Sequence, residues 1–231
     1  MILTGCVDHW PALSRWTHAH LRKVLGDHQV HVARTPDGLG DAVTRTHSSK
    51  EPHFAKPYEA LMPFSTFVDA IESPLDGSRA VHYCSHQNSS LTSEFAPLWE
   101  DVEQSLPWAD AAFGHGPAAA NFWMGEDAAR TTVHADLFDN LYVVVRGTKE
   151  FTLLPPQDGH LLRRRRYRSG TYTPTEGAEG DAEGDEDSAC GLRMVLDVPP
   201  AYVHWTDVDL ESAEAAEAVR PVRATVEAAE V

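Results

Sequence analysis

The chain has 231 residues, 42% of them hydrophobic, and a formal net charge of −16 at pH 7. That length is enough for one domain with a substantial core, or for two small domains. Nucleic acids bind to basic surfaces, so the negative charge excludes a nucleic acid as an expected partner. No apolar run approaches the roughly 18 residues of a membrane span, and therefore no membrane partner is expected either.

Three cysteines, Cys6, Cys84 and Cys190, lie far apart and form no Cys-x-x-Cys pair. This spacing favours reduced thiols, and hence a cytoplasmic or nuclear location. The chain starts with MILTGCVDHWPAL, which has no basic region and reaches Asp8 early. A signal peptide is therefore not expected at this end.

The first 130 residues contain short periodic segments that are separated by turns. Their pattern predicts three helices and three strands, with Ser65 as the N-cap of the middle helix. The predicted helices cover 12–16, 66–72 and 94–104, and the predicted strands cover 29–34, 80–86 and 119–124.

Strand patterns dominate the rest of the chain. Gly147 separates two of these patterns and predicts a hairpin between them. The run RRRRYR at 163–168 is interpreted as irregular, and a disordered acidic loop is expected near 169–190. Many short strands with Pro and Gly turns favour a β-barrel or jelly roll. The predicted strands are 131–136, 141–146, 150–154, 192–198 and 222–226, and one helix is predicted at 211–219.

A single His-x-Asp motif, His134-Ala135-Asp136, lies in the first of these later strands. About one such pair is expected by chance in a chain of this composition, so the context has to decide its meaning. Residues i and i+2 of a strand face the same side, so both side chains can reach one cation. An imidazole and a carboxylate suit Fe(II) in a facial triad, which leaves positions open for substrates. The alternative is a solvated strand face.

Lys149 shares a strand face with Phe151 and Leu153, two residues that favour a core. If that face lines a barrel, Lys149 places a buried ammonium near the His-Asp pair, where it needs an anion. A dicarboxylate cosubstrate would provide that anion, with one end on the metal and the other on the lysine. The alternative is a solvated lysine at the start of a strand.

These residues belong to a longer pattern, TTVHADLFDN followed by GTK and LPP. Together with DHWPAL, VHYCSHQNSSLTSEF, LPWADAAFG and NFWMGE, it resembles the jumonji-C hydroxylases of the cupin-8 type over almost the whole chain. The resemblance implies a mainly β fold with flanking helices, a double-stranded β-helix of the jelly-roll or cupin kind. It implies a single domain over 1–231, with helices and strands in 1–118 and the β-helix core in 119–231.

The resemblance also implies a 2-oxoglutarate- and Fe(II)-dependent dioxygenase that hydroxylates a protein side chain, with lysine as the first expectation. His134 and Asp136 match the family's metal ligands, and no catalytic acid, base or nucleophile is assigned. Strand parity places Thr132 rather than Thr131 on the metal face, and a bulge would reconcile parity with the resemblance. The positions that match the family's cosubstrate contacts are Lys149, Asn140, Thr131 and Tyr83.

The third metal ligand is the open question. The family's second histidine comes late, and only His160 and His204 follow Asp136. His160 lies in a predicted loop, whereas Pro199-x-x-Tyr202-x-His204 mimics the family's Pro-x-x-Trp-x-His. The preferred interpretation aligns AYVHWTDVDL with the stretch before the last strands, so that the chain resembles a domain truncated at both ends and ends before the distal histidine.

Two other functions therefore stay open beside the active dioxygenase. One is a non-catalytic, truncated jumonji-C module that lacks the distal histidine. The other is a cupin-like metal-binding protein or isomerase of another class, which would need two more histidines near His134, and the predicted strand carries none. A protein substrate is the expected partner, and the sequence leaves a homodimer open.

Overall fold

The computed structural model describes residues 1–45, 51–75, 79–87, 89–175, 190–212 and 219–231. Within these residues the chain forms short helices and many short strands. No helix in the described ranges is long and apolar enough to cross a membrane. The α-helices are α1 (Ala12–Arg15), α2 (His18–Leu25), α3 (Phe64–Glu72) and α4 (Pro107–Phe113), and 3-10 helices cover Ser90–Thr92, Ala96–Asp101 and Pro156–Leu162.

The strands form separate sheets. The first sheet has the order β5-β1-β6-β7 and is antiparallel throughout. The second has the order β11-β10-β4-β3, and β12 also pairs with β10. Two small sheets pair β13 with β9 and β2 with β8. The strand bounds are β1 (Gln29–Thr35), β2 (Leu39–Gly40), β3 (Ala42–Thr44), β4 (His53–Lys56), β5 (Tyr58–Pro63), β6 (Val81–Cys84), β7 (Met124–Gly125), β8 (Arg130–Thr131), β9 (Thr148–Leu153), β10 (Arg165–Pro174), β11 (Leu192–Leu196), β12 (Tyr202–Trp205) and β13 (Val222–Glu227).

The largest hydrophobic core lies on one face of the first sheet. Val30 and Val32 alternate along β1 and are fully buried, as the strand period of two requires. They pack in the same cluster as Phe64 and Phe67 from α3 and Leu25 from α2. The opposite face of β1 therefore carries the odd-numbered residues, among them His31.

Several predicted elements are confirmed in this half of the molecule, with changed bounds. The helix at 12–16, the strand at 29–34 and the strand at 80–86 correspond to α1, β1 and β6. The N-cap prediction is wrong, because α3 begins at Phe64 and Pro63 occupies the cap position. The helix predicted at 94–104 is replaced by the shorter 3-10 helix Ala96–Asp101. Of the strand predicted at 119–124, only Met124 belongs to a strand, β7.

The predicted strands around the His-x-Asp motif are wrong. Beyond Thr131, residues 132–147 contain no strand, although all of them lie in the described part of the chain. β9 pairs with β13 instead of forming the predicted hairpin. An alternating pattern fits a strand only where a neighbouring backbone satisfies its N–H and C=O groups. Val144 finds such partners in a turn, since its N–H donates to Glu230 O and its carbonyl accepts from Ala229 N.

The basic run at 163–168 is also more regular than predicted. β10 includes Arg165 to Arg168, which pair with β12, and Arg166 lies opposite His204. The guanidinium of Arg166 stacks over the Tyr202 ring at 3.9 Å, which explains how a strand accommodates it.

Two other predictions concern segments only partly covered by the structure. Residues 169–174 of the expected acidic loop belong to β10, and 176–189 lie outside the described residues. Residues 213–218 of the helix predicted at 211–219 lie outside them as well. The division at residue 119 stays a prediction, although the parallel β4–β10 pair joins strands from both sides of it.

Candidate functional site

The His-x-Asp motif lies in an exposed irregular segment that follows β8. His134 Nε2 is 3.4 Å from Asp136 Oδ1. Two ligands held about 2.1 Å from one ion, at about 90° to each other, lie about 3 Å apart. The observed separation therefore suits chelation of one ion by both side chains, even though no strand aligns them.

Neighbouring groups orient both of these side chains. His134 Nδ1 lies 2.7 Å from the carbonyl oxygen of Thr132, and this hydrogen bond places the ring proton on Nδ1. Nε2 then carries the lone pair that can bind a metal. Asn140 Nδ2 donates to Asp136 Oδ2 at 2.6 Å, which leaves Oδ1 facing the histidine. Asn140 was predicted as a cosubstrate contact, and in this structure it positions the carboxylate.

Trp205 of β12 supports the motif from the other side. Its ring stacks on that of His134 with an interplanar angle of 9° and a centroid distance of 6.5 Å. Its Nε1 donates to Thr132 Oγ1 at 3.1 Å, and that hydroxyl in turn donates to Asp41 O at 2.6 Å. Thr132, and not Thr131, is therefore the threonine beside the histidine, as strand parity favoured. Thr131 is exposed and pairs with Gly40.

His204 does not complete this site in the structure. It is exposed on β12, and its neighbour Trp205 points toward His134, so strand alternation directs the His204 side chain to the opposite face. His160 lies in a 3-10 helix, where its Nδ1 lies 2.9 Å from the Gln157 carbonyl oxygen. Among the described residues, neither histidine joins His134 and Asp136 in a cluster of three ligand atoms.

Lys149 and Tyr83 form the second predicted group. Lys149 Nζ donates to Tyr83 Oη at 3.5 Å and lies 5.5 Å from the centroid of that ring. Burial lowers the pKa of Lys149, and burial also raises the pKa of Tyr83 and of Tyr142, whose hydroxyl shares a hydrogen bond with Tyr83. Within the described residues no carboxylate forms an ion pair with Lys149. The site therefore offers a half-buried ammonium to an anion.

Gly125 determines where the Tyr83 ring lies. It pairs with Tyr83 across β6 and β7, and an added Cβ would lie 2.6 Å from Tyr83 Cδ2. A side chain at this position would push the ring away from β7. The absence of a Cβ at Gly125 thus leaves room for the Tyr83 ring in its position next to Lys149.

A third constellation was not predicted from the sequence. His31, His86 and Glu94 present ligand atoms that all lie within 4.8 Å of one another, the one such group of three among the described residues. The three positions are separated by 55 and 8 residues and form no compact motif. Only the pairing of β1 with β6 brings them together, so no local sequence signal could have found them.

The chain is similar to known proteins along its whole length. A family model described as a cupin-like domain matches residues 1–231. The chain belongs to this cupin-like, jumonji-C family. This membership confirms the predicted fold class, although the sheets of the described residues are not closed.

Three curated relatives illustrate the similarity. The human bifunctional peptidase and (3S)-lysyl hydroxylase JMJD7 is 40% identical over 179 residues, which are 76% of this chain and 53% of the relative. JmjC domain-containing protein E of Dictyostelium discoideum is 34% identical over 215 residues, 90% of this chain and 60% of the relative. Lysine-specific demethylase JMJ32 of Arabidopsis thaliana is 32% identical over 209 residues, 90% and 56% respectively. The chain thus spans little more than half the length of these relatives.

Proposed function

We propose that this chain belongs to a 2-oxoglutarate- and Fe(II)-dependent dioxygenase and carries its 2-oxoglutarate-binding residues. The enzyme would oxidise a protein side chain, with lysine as the first candidate. The observation that carries the proposal is the half-buried Lys149 ammonium, which donates to Tyr83 and forms no ion pair with a carboxylate of the described residues. A buried cation without an anion is unfavourable, so a carboxylate ligand would relieve the cost of its burial.

His134 and Asp136 would hold the iron, since their ligand atoms are close enough to share an ion and the bond to Thr132 O frees Nε2. When bound, iron with 2-oxoglutarate and oxygen supplies the oxidation of a C–H bond, coupled to release of succinate and carbon dioxide. The ammonium of Lys149 would bind the distal carboxylate and thereby set the direction in which the cosubstrate enters. Asn140 would keep Asp136 turned toward the metal.

The lysine substrate rests on two further observations. The names of two relatives, a lysyl hydroxylase and a lysine-specific demethylase, both refer to lysine. The net charge of −16 favours a basic protein segment as the partner. A cytoplasmic or nuclear location, in agreement with the three free cysteines, is part of the same proposal.

The second candidate is a non-catalytic module of the same family. It is favoured by the fact that His204 faces away from His134 and that no third ligand joins the pair among the described residues. Two protein ligands bind a divalent ion more weakly than three do, so this alternative predicts weak iron binding and no turnover.

Succinate release by the purified chain, with Fe(II), ascorbate and 2-oxoglutarate, tests the proposal. Mass spectrometry of lysine-containing peptides would show the gain of one oxygen atom or the loss of a methyl group. We expect His134→Ala to abolish turnover and Lys149→Met to weaken 2-oxoglutarate binding roughly 30-fold or more, equivalent to about 2 kcal/mol.

Lys23→Met is the matched control, because Lys23 is exposed on α2. Mn(II) with 2-oxoglutarate should raise the melting temperature of the wild type and of this control. Joint stabilisation without succinate release supports the non-catalytic module. If Lys149→Met binds 2-oxoglutarate as the wild type does, the proposed cosubstrate site is wrong.

A further inference from the structure

Three side chains from distant parts of the chain converge at one end of the first sheet. His31 lies on β1, the strand that is flanked by β5 and β6. His86 follows β6 by two residues, and Glu94 lies between the 3-10 helices Ser90–Thr92 and Ala96–Asp101. All three segments are fixed by one core, which includes Val30, Val32, Cys84 and Phe95. Side chains held by rigid neighbours of this kind are preorganised for a ligand.

The Glu94 carboxylate is the centre of the cluster. Its Oε1 lies 2.5 Å from His31 Nδ1 and 2.8 Å from His86 Nδ1, so both rings direct the same nitrogen at one oxygen. Its Oε2 accepts from the backbone N–H of His31 at 3.2 Å. The rings themselves are 4.5 Å apart between centroids. A carboxylate that is hydrogen-bonded through its second oxygen is typical of metal-binding sites.

Burial and charge also suit a cation at this position. The Glu94 side chain is 14% exposed, whereas His31 and His86 are 42% and 37% exposed. An ion can therefore enter from the histidine side and keep solvent ligands there. Glu59 on β5 adds a second acidic group near both rings: burial raises its pKa, and the two histidines oppose that shift.

We propose that His31, His86 and Glu94 bind a divalent transition-metal ion of the Zn²⁺ class, at a site separate from His134 and Asp136. Two imidazole nitrogens and one carboxylate oxygen are a ligand set that such ions accept, with a solvent ligand to complete the coordination. A tetrahedral ion with bonds of about 2.1 Å places its ligands about 3.4 Å apart. The present separations of 2.5 and 2.8 Å would therefore increase by less than about 1 Å, which the partly exposed rings allow.

The site would join three segments that only the tertiary fold brings together. A bound ion would cross-link β1, the residues that follow β6 and the loop between the two 3-10 helices. It would thereby stabilise this end of the first sheet. Because binding to the folded state alone raises stability, the ion should raise the melting temperature.

Zn²⁺ titration of the full chain tests the proposal, in a His134→Ala background that disables the other candidate metal site. We expect one equivalent of Zn²⁺ to bind in competition with a fluorescent chelator, and Co²⁺ to give visible absorption bands at the same stoichiometry. Glu94→Gln or His86→Gln should lower the affinity by more than about tenfold. Glu72→Gln is the matched control, because Glu72 meets His18 at 2.8 Å on the helices.

Melting curves in a chelator show whether each variant is folded, and the variant at the partly exposed His86, His86→Gln, replaces any variant that is not. The proposal is overturned if no stoichiometric ion binds, or if Glu94→Gln and Glu72→Gln bind Zn²⁺ equally. A hydrogen-bonded cluster without metal is then the correct description. The result is independent of the proposed oxidation, which depends on His134 and Lys149.

Discussion

The two sets of metal-ligand side chains in this chain are held in very different ways. His31 lies on β1, an inner strand of the first sheet, and α2 and α3 cover the other face of that sheet. His134 lies in residues 132–147, where the apolar side chains of Leu137 and Phe138 are 96% and 75% exposed. The first set is positioned by a packed core, and the second by a few hydrogen bonds and one stacked ring.

Because of this difference, substitutions in the two regions should affect the stability of the fold to different extents. A strand with neighbours on both sides transmits any change of its residues into the core. Between Thr132 and Val144, the exposed side chains of Leu137 and Phe138 should tolerate substitution, because few contacts depend on them. The expectations that follow test this contrast.

The largest contrast is expected from the same substitution made in each region. Phe64 is fully buried at the start of α3, so Phe64→Ala should lower the free energy of unfolding by about 3–5 kcal/mol. Phe138→Ala, next to the metal motif, should change it by less than about 0.5 kcal/mol. Urea denaturation followed by circular dichroism measures both values. Equal losses would show that the exposed segment is packed after all, and would remove the distinction.

The loss of folding stability at low pH should also arise in the first sheet. Burial lowers the pKa of His82, on β6, to about 4, so the unfolded chain takes up a proton before the folded chain does. Stability is then full above about pH 6.5 and falls by up to about 3 kcal/mol as the pH drops toward 4. Urea midpoints across this pH range measure the loss.

His82→Leu should flatten this part of the profile, whereas His160→Leu, on an exposed 3-10 helix, should leave the slope as it is. An unchanged slope in the His82 variant would show that other groups cause the acid response. In that case the sheet would not be the acid-sensitive region.

The same contrast explains how much of the fold the sequence could predict. β1, β6, β9, β11 and β13 were predicted from the sequence, with changed bounds, and each has a neighbouring strand in the structure. The strands predicted at 131–136 and 141–146 have strand-like residue patterns too, yet no strand forms at 132–147. Alternation describes a side-chain pattern, whereas a strand also needs a backbone partner, which lies elsewhere in the chain.

For the site, chain proximity was what could be predicted. His134 and Asp136 lie two residues apart, so a local motif finds them, and the structure keeps their ligand atoms 3.4 Å apart. Lys149 was also indicated by the strand face that it shares with Phe151 and Leu153. Asn140 and Tyr83 needed the family resemblance, because an Asn in a turn and a Tyr in a strand are ordinary residues. The site roles of these residues stay predictions. The cluster of His31, His86 and Glu94 could not be predicted, because its members meet only through strand pairing.

Cosubstrate affinity should depend on alkaline pH through Lys149. Burial lowers the pKa of this ammonium below its ordinary value of 10.5, so it loses its charge at a lower pH than a solvated lysine does. Affinity for a dicarboxylate should be full at neutral pH and fall at least about tenfold as the pH rises through the lowered pKa. Isothermal titration with 2-oxoglutarate and Mn(II) measures this dependence. The variant Lys149→Arg, which keeps its charge, should bind with an affinity that does not fall in this way; a wild type with flat affinity would contradict the assignment.

The smallest effect is expected where residues 132–147 contact the second sheet. Trp205 packs on Phe54 at 5.0 Å in the second sheet and donates to Thr132 Oγ1 at the edge of the metal segment. Trp205→Phe keeps an aromatic ring to stack on His134 but removes the N–H donor, so it should lower stability by about 1 kcal/mol. Thr132→Val should cost more, because it also removes the bond from the Thr132 hydroxyl to Asp41 O. The double variant should lose little more than Thr132→Val does, because both changes remove the bond between Trp205 and Thr132. Urea denaturation of the four proteins gives the coupling energy. Additive losses would mean that the bond between Trp205 and Thr132 does not form in solution. Residues 132–147 would then be restrained by fewer contacts than the structure shows.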